Sequence, residues 1–154
     1  MTSFHFASGS YELLDYCDSL WELFIDNQVQ SAGEMASGVE EYLRYVQETG
    51  LKQKNDTGKL HVQLIYLDSV ENAVAFCVTS LTAEKIGEIE VLYVMDNYQG
   101  NKLGSKLVEN ALLWLKEEQA VEQRLVVATG NERVFDFYAN YGFYPGYTTL
   151  FRAE

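Results

Sequence analysis

Basic residues are scarce in this chain: 11 Lys and Arg stand against 23 Asp and Glu in 154 residues, a net charge of -12. Nucleic acids need cationic groups opposite their phosphates, so this balance argues against nonspecific nucleic-acid binding. It suits a cationic partner, and it equally suits a protein kept soluble by its charge. Long apolar runs are lacking too. Stretches such as Ala73 to Val78 fall far short of the roughly 20 residues of a membrane span, and no basic segment followed by an apolar one stands at the N-terminus. A cytoplasmic protein that does not engage a membrane is expected. Cysteine is limited to Cys17 and Cys77, both inside apolar patterns where a free cysteine behaves as a small buried hydrophobe, which disfavours a disulfide. Histidine is limited to His5 and His61, with no partners at metal-ligand spacing and no cysteine nearby, so neither a metal site nor a Cys-His nucleophile is expected.

The apolar share of 47% and the length point to one folded domain over residues 1–154. From Tyr11 to Ile25, Leu13, Leu14, Cys17, Leu20, Trp21, Phe24 and Ile25 recur at helical spacing. Ser37 stands three residues before Glu40, a capping-box spacing, and Val39, Tyr42, Leu43 and Val46 continue a second helix to about Gly50. Lys52 to Lys59 is polar and reads as a loop. Leu60 to Leu67 and Ala73 to Leu81 are rich in β-formers and read as a hairpin, followed by a third strand over Glu88 to Met95. After Gly104 the period returns to that of a helix, through Leu107, Val108, Ala111, Leu112 and Leu115 to about Gln119. Arg124 to Ala128 reads as a buried strand, Glu132 to Tyr141 as a helix started by Asn131 and stopped by Gly142, and Tyr147 to Arg152 as a last strand. The expected order is α-α-β-β-β-α-β-α-β, an α/β chain of the α+β kind without repeats.

The segment Gln99-Gly100-Asn101-Lys102-Leu103-Gly104-Ser105 joins a strand to an amphipathic helix. Such a loop can aim several backbone N–H groups at one anion, with the helix dipole adding to the attraction and glycines allowing close approach. Lys102 and Lys106 supply local positive charge in an acidic protein. Two glycines at a strand-to-helix turn also occur without any ligand, so the spacing leaves both readings open. Glu88 and Glu90, two residues apart on a central strand, are costly there unless they face a cleft or are paired.

Gln99 and Gly104, preceded by Leu92-Tyr93-Val94, resemble the acetyl-CoA signature of the GNAT acetyltransferases, with Lys102 where that family has its middle glycine. A second stretch agrees: Asn131 to Phe143, with Phe137-Tyr138 followed by Tyr141-Gly142-Phe143, is similar to the family's aromatic pair and Gly-Phe ending. The resemblance covers about Leu60 to Arg152 and implies a mixed, mostly antiparallel sheet flanked by helices, with acetyl-CoA as cosubstrate where two parallel strands diverge and no metal. It implies direct N-acetylation of a primary amine on a small molecule or peptide. It carries Gln99, Gly100, Lys102, Leu103, Gly104 and Ser105 over to the pyrophosphate, the backbones of Leu92 and Val94 to the pantetheine arm, and Asn131 to a polar contact, where a helix cap is the alternative. Tyr138 becomes the acid beside the departing thiolate, and Glu90, with Glu88 as its rival, the base. A homodimer is among the assemblies such proteins form. Lys102 leaves open a module that binds acyl-CoA without turnover, and the acidic, aromatic-rich composition leaves open a protein-interaction domain.

Overall fold

The structure is a computed structural model describing residues 2–153. Its centre is a five-stranded sheet in which β1 (His5–Gly9), β2 (Lys59–Tyr66), β3 (Ala73–Leu81) and β4 (Ile86–Val94) run antiparallel in sequence order. β5 (Glu122–Leu125) joins β4 in parallel, as a chain returning through a helix must. The sheet is therefore mixed and mostly antiparallel, as expected.

Two apolar layers hold it. On one face lie α1 (Asp18–Ser31), α2 (Ala36–Tyr45) and α3 (Leu51–Thr57), whose Trp21, Ile25, Leu43 and Leu51 meet Leu60, Val62, Leu64, Phe76 and Val78. Trp21 sits edge-on to Phe76 with ring centroids 5.6 Å apart. On the other face α4 (Leu103–Glu117) sets Leu103, Leu107 and Ala111 against Ile65, Ala75, Cys77, Ile89 and Val94. Each fully buried large side chain contributes about 1.5–3 kcal/mol of burial. Cys17 and Cys77 are buried and free in opposite layers. A short α5 (Phe135–Ala139) closes the chain's helical part, and Gly142, at φ +87, ends it.

Several expected elements differ. β1 has only a weak alternating pattern and was not expected; it is held by its pairing to β2, Phe6 opposite Ile65 and Gly9 opposite Val62. Residues 11–16 form a 3₁₀ turn, so the first α-helix begins at Asp18. The Ser37–Glu40 capping box does not form, because α2 already starts at Ala36 after Met35 with no side-chain cap. Nor does that helix stop at Gly50. It passes through a π-turn, Val46–Gly50, into α3, so the polar run expected as a loop is helical and is anchored by Leu51. The buried strand expected over Arg124 to Ala128 instead begins at Glu122, is largely exposed as an edge strand, and leaves the sheet after Leu125. Tyr147 to Arg152 forms no strand: it pairs with no edge among the described residues, and Tyr147, Leu150 and Phe151 are exposed.

Candidate functional site

β4 carries a bulge. Val78 stands opposite Val91 and Thr79 opposite Ile89, so Glu90 is the extra residue. A bulge of this kind bends the strand and re-aims its side chains. β5 pairs with β4 only from Ile86 to Ile89, and beyond that point the two strands part. Between them opens a cleft of about 550 Å³, lined by Glu90 to Val94 of β4, by Leu125 to Ala128, by the loop and first turn of α4, and by Asn131, Phe137 and Tyr138. Phe24, Asn27 and Gln28 of α1 close one side.

Beyond Ile89 the outer edge of β4 has no partner strand among the described residues. Met95 gives its N–H to the Val74 carbonyl on the β3 side at 2.9 Å, so by alternation Leu92 and Val94 direct their backbone groups into the cleft. Gln99 ties the loop to this edge, its Nε2 donating to the Val94 carbonyl at 3.1 Å and to Asp96 Oδ1 at 3.3 Å. At Val94 only the N–H is left, while Leu92 keeps both groups.

The loop then turns sharply. Gly100 has φ +86 and Lys102 φ +60, the left-handed region that an L side chain enters at a cost of about 1–2 kcal/mol. A glycine would take this conformation freely, and this chain meets the same backbone demand with a strained lysine. The first helical bond of α4 runs from Lys106 N–H to the Lys102 carbonyl at 3.1 Å. The amides of Lys102, Leu103, Gly104 and Ser105 stand ahead of it, at the positive end of the helix dipole and on the wall of the cleft. A methyl group at Gly104 would lie 3.6 Å from Phe137 Cζ and 3.8 Å from Leu92 Cδ2, ordinary contact distances that leave room for alanine.

Asn131 does not cap a helix. It occupies the cap position before Glu132 without a side-chain cap bond, and its Nδ2 instead donates to Gln28 Oε1 at 3.3 Å. Its Oδ1 is buried with no partner among the described residues, an arrangement that costs about 1–3 kcal/mol unless something in the cleft donates to it. Gly130 brings this loop onto α1 so closely, at φ +89, that a Cβ would lie 1.7 Å from the Ser31 carbonyl oxygen.

Tyr138 is half-buried on the cleft wall, edge-on to Phe137 and Phe143 at 5.1 and 6.1 Å between centroids. Burial first, and then the neighbouring Cys77 thiol, push its phenol well above the usual range, so it stays protonated. Burial pushes the Cys77 thiol itself up to about 12, which suits a core residue rather than a nucleophile. The two histidines stack on aromatic rings, His5 on Tyr66 at 5.5 Å and His61 on Trp114 at 5.1 Å.

Glu88 and Glu90 lie on the face of β4 that α3 covers, opposite the α4 face. The Glu90 side chain is only 3% exposed and accepts hydrogen bonds from Lys54 Nζ and from Ser80 Oγ, the latter at 2.6 Å. Glu88 Oε1 lies 3.5 Å from Lys54 Nζ and 3.4 Å from Arg124 Nε. Burial raises Glu90 above the usual carboxylate range and the Glu88 charge adds to this, while Lys54 and Ser80 pull it back. Both carboxylates are thus paired, and Glu90 also reaches the cleft. Sequence reasoning missed Lys54, Ser80 and Gln28. Lys54 sits in a polar run 36 residues from Glu90, with no local signal to single it out.

The sequence matches the acetyltransferase (GNAT) family over residues 17–143. No curated protein matches it in sequence. Among solved structures, a Pyrococcus furiosus chain described as an acetyl transferase superposes with a TM-score of 0.68 at 15% identity, over 96% of this chain and 99% of that one. The aminoglycoside N-acetyltransferase AAC(6')-Iy in complex with CoA gives 0.64 at 11% identity over 97% and 98%. The glucosamine-6-phosphate N-acetyltransferase of Arabidopsis thaliana gives 0.60 at 16% identity over 96% and 97%. These likenesses match the fold, and the family match covers both sequence motifs and the cleft they line: the chain belongs to the acetyltransferase (GNAT) family.

Proposed function

We propose that the protein is an acetyl-CoA-dependent N-acetyltransferase that moves an acetyl group directly to a primary amine of a small molecule or peptide. The observation that carries this reading is the cleft itself: an unpaired strand edge at Leu92 and Val94, four free amides at the head of α4, and the orphaned Oδ1 of Asn131 on one wall. These groups fit a ligand that is polyanionic at one end and rich in amides along its arm. Acetyl-CoA supplies an acetyl group activated as a thioester.

The amides of Lys102 to Ser105 hold the pyrophosphate, with Lys102 adding a charge and Gly100 and Gln99 shaping the turn. Leu92 and Val94 pair with the arm as a strand would, and Asn131 Oδ1 accepts one N–H. Glu90 takes the proton of the acceptor's ammonium, a task suited by a carboxylate that burial raises above its usual range. Tyr138 Oη holds a proton available to a thiolate in the cleft. The left-handed Lys102 supports a working loop over a degenerate one, because the backbone takes the path a glycine would give it.

Calorimetric titration with acetyl-CoA, with desulfo-CoA as control, followed by a panel of polyamines, aminoglycosides and lysine-rich peptides, tests this. Micromolar binding and turnover of at least one amine are expected. Binding without turnover across the panel would favour an acyl-CoA-binding module, and no binding at millimolar cofactor would favour an interaction domain.

A further inference from the structure

The two donors that reach the Glu90 carboxylate converge on one oxygen. Lys54 Nζ and Ser80 Oγ both bond to Oε2, and Oε1 has no protein hydrogen bond among the described residues. Lys54 comes from α3, a helix whose only deeply buried residue, Leu51, lies one turn before it and seats it on the sheet. Its ammonium also bridges to Glu88.

We propose that Lys54 is the positioning residue for Glu90: by pinning Oε2 together with Ser80, it turns Oε1 toward the acceptor and keeps the carboxylate charged until an ammonium proton reaches it. The inference rests on Glu90 as the base. The proton leaves the acceptor nitrogen for Glu90 Oε1, and Lys54 keeps its own.

The polar and charged groups facing the Glu88–Glu90 pair come from every element packed against it: Ser80 from β3, Arg124 from β5, Tyr42 from α2 and Lys54 from α3, of which Ser80 and Lys54 bond Glu90 itself. Among the described residues Lys54 is the only cation that bonds Glu90 directly, since Arg124 reaches Glu88. Burial works against the Lys54 ammonium, but the hydrogen bond to Glu90 and the charges of both carboxylates outweigh it and hold it above the usual lysine range. With a neutral side chain at position 54, Glu90 would be left buried beside Glu88 with a single hydroxyl donor. Burial and a like charge both favour the protonated acid.

The test is a carboxyl ¹³C NMR titration of glutamate-labelled protein without cofactor or acceptor, in the wild type, Lys54→Met and Lys54→Arg, with the Glu90 signal assigned by its loss in Glu90→Gln. Lys54→Met should raise the Glu90 midpoint by about 1–3 pH units, the range over which a lost opposite charge acts, and Lys54→Arg should restore most of it. Lys54→Gln serves should the methionine variant not fold. In the acetylation assay the acid limb of the pH profile should move with the midpoint, at unchanged KM for acetyl-CoA. A midpoint that stays put in both neutral variants overturns the proposal while leaving Glu90 as base untouched. A wild-type rate and pH profile in Glu90→Gln overturns the base reading, and the proposal with it.

Discussion

Asn131 spends its side-chain amide on Gln28, 103 residues away, and keeps its Oδ1 buried and unpaired. The free protein carries that cost, and on the proposed reading the bound cofactor relieves it. Asn131→Ala removes an unsatisfied oxygen that costs about 1–3 kcal/mol but leaves the buried Gln28 Oε1 without its donor at a similar cost, so the two nearly cancel. The ligand-free Tm should therefore change little, while acetyl-CoA affinity, read by calorimetry, should fall about five-fold or more, the effect of one lost bond of about 1 kcal/mol. A variant that loses Tm but binds as before would make the contact purely structural.

Lys102 is strained at φ +60. Lys102→Gly releases about 1–2 kcal/mol and adds about 0.5–1 kcal/mol of chain entropy to the unfolded state. Thermal denaturation should show a Tm raised by about 1–4 °C. Acetyl-CoA binding should become less sensitive to salt, because the exposed cation is gone.

Gly130→Ala sets a Cβ against the Ser31 carbonyl and forces a positive φ on an L residue. A loss of at least about 2 kcal/mol is expected in urea denaturation. An unchanged midpoint would show that this loop is not seated on α1.

Tyr138→Phe keeps the ring and its contacts with Phe137 and Phe143 but removes the phenol proton. Turnover should drop about 100-fold, the usual size of a general-acid contribution, with little change in acetyl-CoA affinity. An unchanged kcat removes Tyr138 from the chemistry.

Glu90 is raised in the folded state from its ordinary value of 4.5. The folded protein then holds that proton to a higher pH than the unfolded chain does. Its contribution to stability is fully present below the ordinary value and is lost as pH rises through the folded value. Glu90→Gln should remove this loss, so the variant gains on the wild type as pH climbs from about 4.5 toward neutrality. Parallel stability curves in denaturant titrations across that window would contradict the raised value.

What could be read from the chain beforehand was whatever is written locally. β3 and α4 carry dense apolar patterns, and the loop from Gln99 to Ser105 keeps its order in sequence and in space. β1 was not legible, because a five-residue strand with mixed exposure gains its hydrogen bonds from β2 rather than from its own pattern. α3 was hidden by its polarity: only Leu51 faces the core, and the residues after it are those of a surface turn. Tyr147 to Arg152 has the composition of a strand and no neighbour to pair with, which shows that β-propensity describes a fit to a sheet and not a conformation by itself. Glu90 was legible as an odd charge on a central strand, but the bulge that aims it and the lysine that meets it are properties of two strands and a distant helix.

The π-turn at Val46–Gly50 also sets how this family member can vary. Each residue of an α-helix advances the chain by about 100° around the axis, so the single residue that widens this turn decides which way every later side chain looks. Substitutions along α3 would leave Lys54 facing the sheet, whereas the loss of one residue from the turn would swing it aside by more than a quarter circle. The pairing with Glu90 thus depends on the length of the helix as much as on the lysine itself, and one insertion or deletion in this segment would break it with Lys54 still in place.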